Sequence, residues 1–244
     1  TFYYMHHSAL KFGELFFNTY CKDLKDGVVV DLGSQDVNGS LKSFCPEHLK
    51  YVGVDFVAGK NVDVILDDPY KLPFDDDGVD VIVCSSVLEH SEFFWLLFLE
   101  MIRILKPGGL LYLNVPSNGH FHQYPVDSWR FYPDSGRALV SWAAHNGYKA
   151  SLLESFVGKR TDNYPWNDFV AVICKDYDET KSTFSNRMVS KTNDFYNGYI
   201  FEQKEIINRS ELTEDTLMIE ASKKRTLKSR IRSIRKSFYK LIGS

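Results

Sequence analysis

Through the first three quarters of the chain, short apolar runs alternate with longer amphipathic or polar stretches. Val28 to Leu32, Leu49 to Asp55, Val62 to Leu66, Val79 to Cys84 and Leu110 to Val115 are such runs. Each is short, mostly continuous in its hydrophobicity and rich in valine, isoleucine or leucine, which predicts strands buried on both faces. Between and before them, Ser8 to Tyr20 has helical spacing with Ser8 placed to cap it, and Phe93 to Leu105 carries a broad apolar face. Pro107-Gly108-Gly109 ends that second helix, because proline cannot continue it and glycine takes the left-handed C-terminal position. Pro133 to Asn146 predicts a third helix. The βα period implies a largely parallel sheet covered by helices. Two further runs, Tyr148 to Phe156 and Phe169 to Cys174, are joined by a connection too short for a crossover helix, so this last pair is predicted antiparallel. The expectation is an α/β fold with seven strands and helices on both faces.

This organisation divides the chain into a body over 1–176, a polar extension or linker over 177–220 without assigned structure, and a terminal segment over 221–244. The 244 residues carry a net charge of −3, yet that terminal segment holds nine Lys/Arg and no Asp/Glu, leaving the rest at 20 basic against 32 acidic residues, net −12. So acidic a body is a poor nucleic-acid binder, since a basic face is needed to displace counterions from phosphates. In the tail, Leu227, Ile231, Ile234, Phe238 and Leu241 recur at helical spacing among basic residues. Such a basic amphipathic helix suits an anionic membrane surface, a partner helix or the acidic body itself. The longest purely apolar run, Phe93 to Leu99, is too short to cross a bilayer. Cys21, Cys45, Cys84 and Cys174 are scattered without metal-ligand spacing, as expected of buried thiols in a reducing cytoplasm. The chain opens on Thr1, as a trimmed chain or a piece of a longer polypeptide would.

The first strand runs into a glycine turn, VVVDLGSQDVNGS from Val28 to Ser40. Strand, glycine turn and helix is the layout that grips nucleotides, but a dinucleotide fingerprint places a second glycine where Gln35 stands, and Asp31 and Asp36 would repel phosphate. A ligand without phosphate and with net positive charge fits better. S-adenosylmethionine is such a ligand, with a sulfonium and an ammonium against one carboxylate. The sequence resembles the class I S-adenosylmethionine-dependent methyltransferases over residues 3–176. The motifs that carry the resemblance are Asp31-Leu32-Gly33-Ser34-Gln35, with Asn38-Gly39 standing later than the family's second glycine, and Asp55, 22 residues beyond Gly33. Asp67-Asp68-Pro69-Tyr70-Lys71-Leu72-Pro73-Phe74, Ser85-Ser86-Val87-Leu88-Glu89-His90 and Leu105-Lys106-Pro107-Gly108-Gly109 complete it. The resemblance implies a Rossmann-like sheet. It implies cofactor contacts from Asp31, Gly33, Ser34, Gln35, Asn38 and Gly39, from Asp55 on the ribose hydroxyls with Phe56 beside it, from Asp67 or Asp68 at the adenine, and from Ser85 and His90.

In an open parallel sheet the ligand lies beyond the carboxyl ends of the strands, so the acceptor is expected over the segments following the fourth and fifth. Asn118 to Asp134 is dense in polar and aromatic groups. It resembles the His-x-Tyr-Pro-x-Asp-x-Trp-Arg-Phe pattern of a bacterial methyltransferase group associated with surface-glycan synthesis, which implies a sugar or glycan acceptor. A sugar hydroxyl is a poor nucleophile until its proton is removed, and a neutral imidazole is the natural base near pH 7. His122 is the first candidate base and His120 the second. Asp127 is read as orienter or alternative base, Arg130 as an acceptor clamp, and Tyr124 and Trp129 as stacking surfaces for a pyranose. His120, His122 and Asp127 also form a loose pattern for a divalent metal; Asp127 paired with Arg130 would equally serve to fix the loop. Two other functions fit the pattern: an NAD-dependent oxidoreductase, and a non-catalytic methyltransferase-like module of a larger glycan-synthesis protein.

Overall fold

The computed structural model describes residues 7–36, 39–160, 166–178, 184–212, 215–216, 219–220, 222–229 and 231–232. Asn38 and the distal part of the tail stripe, Ile234, Phe238 and Leu241, lie outside these residues.

Helix α1 (His7–Phe16) leads through a π-helical turn, Phe17–Cys21, into the sheet. The strands are β1 (Val28–Leu32), β2 (Lys50–Asp55), β3 (Val64–Ile65), β4 (Val79–Ser85), β5 (Leu105–Pro116), β6 (Ala150–Gly158), β7 (Asp168–Lys175) and β8 (Phe195–Ile200). Helix α2 (Phe94–Ile104) joins β4 to β5, and α3 (Ser135–His145) joins β5 to β6. All eight strands form one sheet in the order β3-β2-β1-β4-β5-β7-β6-β8. Strands β1 to β5 pair in parallel, while β7 is antiparallel to both β5 and β6, and β8 is antiparallel to β6.

Alternation along the strands builds two cores. Val30, Leu32, Ile82, Cys84, Leu111, Leu113, Ala171 and Ile173 pack under α2 and α3. Val29, Val81, Val83, Leu110, Tyr112, Val170 and Val172 meet Phe12, Phe16 and Phe17 on the other face. Helices thus cover both faces, and with the parallel run β1 to β5 the architecture is Rossmann-like.

The structure departs from expectation in three places. The sheet has eight strands rather than seven, because Phe195–Ile200, within the polar stretch after residue 176, adds β8 at the edge, where Phe195 packs on Phe156 at 5.4 Å between ring centroids. Ser8 does not cap α1; it lies buried inside the helix, with its hydroxyl hydrogen-bonded to Asp168. Pro107-Gly108-Gly109 does more than end α2. Helix gives way to strand at Leu105, and the three residues form a bulge in β5 between the Val79–Leu105 and Val81–Leu110 pairings.

The chain divides into two units, 1–209 and 210–244. In the second, residues 222–229 are helical and Leu227 and Ile231 are exposed. No helix among the described residues is long and apolar enough to cross a membrane.

Candidate active site

Parallel register sets the site. Leu32 pairs with Val54 and Cys84, Ser85 with Asn114, and Pro116 with Asp168, so the ends of β1, β2, β4 and β5 and the start of β7 share one rim. The chain order reverses between β1 and β4, and at such a switch point the loops diverge and leave a crevice. A cleft of about 790 Å³ opens there, within the size range of small-molecule sites.

The β1 turn forms one wall. Gly33 has φ +81°, and a Cβ there would stand 2.3 Å from Val87 Cγ2, so only glycine fits. Gly33 and Ser34 both donate their N–H to Val54 O, at 2.9 and 3.2 Å. Asp55, at the end of β2, accepts from the Gln35 N–H at 3.1 Å on one oxygen, and from the Phe56 and Val57 N–H groups at 2.8 and 3.2 Å on the other. Asp55 lines the cleft, with acceptor capacity left on the oxygen that takes the Gln35 N–H alone. Asp31 also lines the cleft and accepts from the Tyr51 hydroxyl at 2.6 Å; burial raises its carboxyl to about 6. Ser34, Gln35, Gly39, half-exposed Phe56 and Ser85 complete this side.

Two expected groups are placed differently. Asp36 is turned to Lys60 Nζ at 2.6 Å and to the Gly39 N–H at 2.8 Å, with its carboxyl held below the usual range by Lys60, and it does not line the cleft. The acidity of the turn that faces a ligand is therefore Asp31 with Asp55. Asp67 and Asp68 are exposed and outside the lining; Asp68 accepts the Tyr70 N–H at 2.8 Å, and Pro69 and Tyr70 reach the cleft instead.

The loop after β5 forms the opposite wall, contributing Pro116, His122, Gln123, Tyr124, Pro125 and Val126. Asp127 organises it. Its carboxylate accepts two bonds from Arg130, at 2.5 and 2.8 Å, and the His122 N–H at 2.7 Å, and stands 3.3 Å from His122 Nδ1. Arg130, and next to it burial and the His122 N–H, set the Asp127 carboxyl, which the arginine holds down at about 2. Arg130 also donates to His120 O at 2.8 Å. The guanidinium expected to clamp an acceptor is thus engaged in fixing the loop that carries both histidines. The His122 ring lies 4.7 Å from Trp166 and 4.9 Å from His90, centroid to centroid. His120 packs on Trp166 at 5.8 Å and does not line the cleft.

Trp129, expected to stack on a sugar, is absent from the lining. It packs on Phe94 and Trp95 and donates its indole N–H to Ser91 O at 3.0 Å. Tyr124 does reach the cleft, its hydroxyl 3.5 Å from Gln35 Oε1 across it. His90 is a wall residue whose Nδ1–H donates to Val126 O at 2.5 Å, and burial lowers its pKa. Among the described residues no group of three or more His, Cys, Asp and Glu is placed to hold a metal ion.

Sequence reasoning gave no role to several cleft residues, among them Trp166, Asp168 and Glu89. Glu89 stood within a quoted motif, but nothing in its spacing signals that its side chain is buried.

Residues 31–113 match the model of a methyltransferase domain. An uncharacterized methyltransferase of Mycobacterium leprae is 32% identical over 157 residues, covering 57% of this chain and 55% of that protein. One of Mycobacterium tuberculosis is 46% identical over 54 residues, 20% of this chain and 21% of its own. The chain spans about half the length, or less, of these curated relatives. Among solved structures, the 1,6-didemethyltoxoflavin-N1-methyltransferase of Burkholderia thailandensis, with bound S-adenosylhomocysteine, superposes with TM-score 0.53 at 13% identity, over 70% of this chain and 79% of its own. The [4+2]-cyclase SpnF gives TM-score 0.53 at 14% identity, over 72% and 85%.

The stretch that matches a methyltransferase domain carries the turns of the strand-end wall, so S-adenosylmethionine is the cofactor against which the cleft is to be compared. The cleft's own chemistry fits that cofactor. Its charged lining at the strand ends is carboxylate, suited to a cation, and the buried Oγ atoms of Ser34 and Ser85 have no protein partner. Unpaired buried polar atoms are costly unless a ligand or water meets them.

Proposed function

We propose that this protein is an S-adenosylmethionine-dependent methyltransferase that methylates a hydroxyl group of a sugar in a glycan or glycolipid. The observation that carries the reading is one cleft joining the acidic strand-end wall of Asp31 and Asp55 to an opposite wall with His122 and Tyr124. The cofactor supplies a methyl group made electrophilic by its sulfonium. Asp55 accepts from the ribose hydroxyls, beside Phe56, and the turn of Gly33, Ser34, Gln35 and Gly39 offers backbone and side-chain partners.

His122 takes the acceptor proton. Asp127, held by Arg130, orients its imidazole through Nδ1 and leaves Nε2 for the hydroxyl. Tyr124 and Trp166 offer flat faces to the apolar side of a pyranose. Alignment of acceptor and methyl supplies much of the rate for an in-line displacement. The sugar acceptor rests on the resemblance of the 120–131 pattern together with this aromatic lining.

Titration with S-adenosylmethionine, followed by screening of sugar acceptors for a mass gain of one methyl group, tests the reading. Binding in the micromolar range and a mass shift are expected. No binding would reject the methyltransferase assignment, whereas binding with methylation confined to non-sugar acceptors would reject the sugar alone.

A second proposal concerns place. The protein works in the cytoplasm, with the basic segment 221–244 contacting an anionic membrane beside a lipid-linked acceptor. The chain should pellet with anionic vesicles at low salt and be released at high salt, while a chain ending at Glu220 should stay in solution. Equal behaviour of the two chains would reject the contact.

A further inference from the structure

Glu89 is the least expected group in the cleft. It follows β4 in the 3₁₀ turn Leu88–His90, lines the cleft, and is 1% exposed, yet its Oε2 has no hydrogen-bond partner. Its other oxygen stands 3.8 Å from His90 Nε2. That nitrogen is not the donor, since His90 Nδ1 carries the proton given to Val126 O. Two other orphaned atoms, Ser85 Oγ and Asp168 Oδ2, belong to residues that line the same cleft. A buried carboxylate with one oxygen left unpaired is costly in its charged form, so such a group is held as the neutral acid until a cation arrives.

We propose that Glu89 is a proton-release site coupled to the positive charge of the cofactor: it is a neutral acid when no cation is in the cleft and gives up its proton when the sulfonium enters. The inference rests on the methyltransferase reading above and deepens it. Burial, the main cause, raises the carboxyl to about 8; a hydrogen bond from its own main-chain N–H and the Arg130 charge oppose the rise, and Asp168 and Asp127 add to it. Asp31 and Asp168 are raised only to about 6, Asp127 is held down, burial keeps His90 neutral, and the Cys84 thiol lies well above its usual value.

The cycle then balances. On methyl transfer the S–C bond breaks with its electron pair left on sulfur, the C–O bond forms, and the hydroxyl proton leaves to His122. With the sulfonium charge gone, Glu89 is again the stronger base and takes up one proton from solvent, while His122 gives the hydroxyl proton up to solvent. The cleft keeps the same net charge before and after turnover.

Calorimetric titration in two buffers of different ionisation enthalpy counts the protons. At pH 7.5, S-adenosylmethionine is expected to release roughly half a proton or more from Glu89, and S-adenosylhomocysteine almost none. Affinity for the sulfonium compound should rise with pH up to about 8.5, by up to about tenfold per unit, and then level off. In Glu89→Gln the release should vanish, with affinity for S-adenosylmethionine at pH 8.5 down about tenfold and that for S-adenosylhomocysteine nearly unchanged. If that variant fails to fold, the comparison of the two ligands on the native protein decides. Binding with equal proton counts for both ligands, or release that persists in Glu89→Gln, overturns the proposal alone. Absence of any binding overturns the cofactor reading and this proposal with it.

Discussion

Replacing His122 by alanine is expected to lower turnover by about 10²- to 10⁴-fold while affinity for S-adenosylmethionine changes little. The size follows from the removal of a general base from a reaction whose nucleophile is an unactivated hydroxyl. The selectivity follows from placement. His122 stands on the loop after β5, its ring between Trp166 and His90, while the residues assigned to the ribose and to the glycine turn stand after β1 and β2. Asp127 accepts the His122 main-chain N–H, a bond alanine retains, so the loop keeps that anchor. Parallel loss of turnover and cofactor affinity would mean that His122 only supports the wall, and unchanged turnover would remove it from the reaction.

Asp55→Ala should weaken binding of S-adenosylmethionine and its demethylated product by about tenfold to a hundredfold, roughly 1.5 to 3 kcal/mol. Two ribose hydroxyls lose their acceptor, and so do the main-chain N–H groups of Gln35, Phe56 and Val57. The turn loosens together with the direct contact. Asp55→Asn keeps an oxygen for part of that network and should fall between the variant and the native protein. Calorimetry of the three proteins, each checked for an unchanged thermal transition, separates the effects. Affinity unchanged in Asp55→Ala would sink the ribose assignment.

The parallel half of the sheet is legible in the sequence because runs such as Val28–Leu32 and Val79–Ser85 are buried on both faces and need no partner to be recognised. Strand β8 is not, because Phe195–Ile200 contains Asn197-Gly198, a turn signal, and Asn197 does take φ +52° within it. The same division runs through the site. Gly33, Asp55 and His122 stand where local motifs put them. The partner of Asp36 is Lys60, 24 residues away, and no local pattern announces it. Arg130 reads in the sequence either as an acceptor clamp or as the partner of Asp127, and only the closed loop, with its further bond to the His120 carbonyl, favours the second. Burial of Glu89 and Asp168 depends on β4, β5 and β7 meeting at one rim, a long-range fact.

The two margins of the sheet bear on how the protein behaves in a crowded solution. Strand β3 is two residues long, and the outer side of β8 is occupied at its centre by the Gly198–Ile207 bridge beside left-handed Asn197. Neither border presents a long row of free peptide groups as a template for a strand from another chain. Short, kinked borders are how natural sheets avoid edge-to-edge aggregation. An eight-stranded sheet with so much valine and isoleucine can therefore remain open without closing into a barrel to hide its borders.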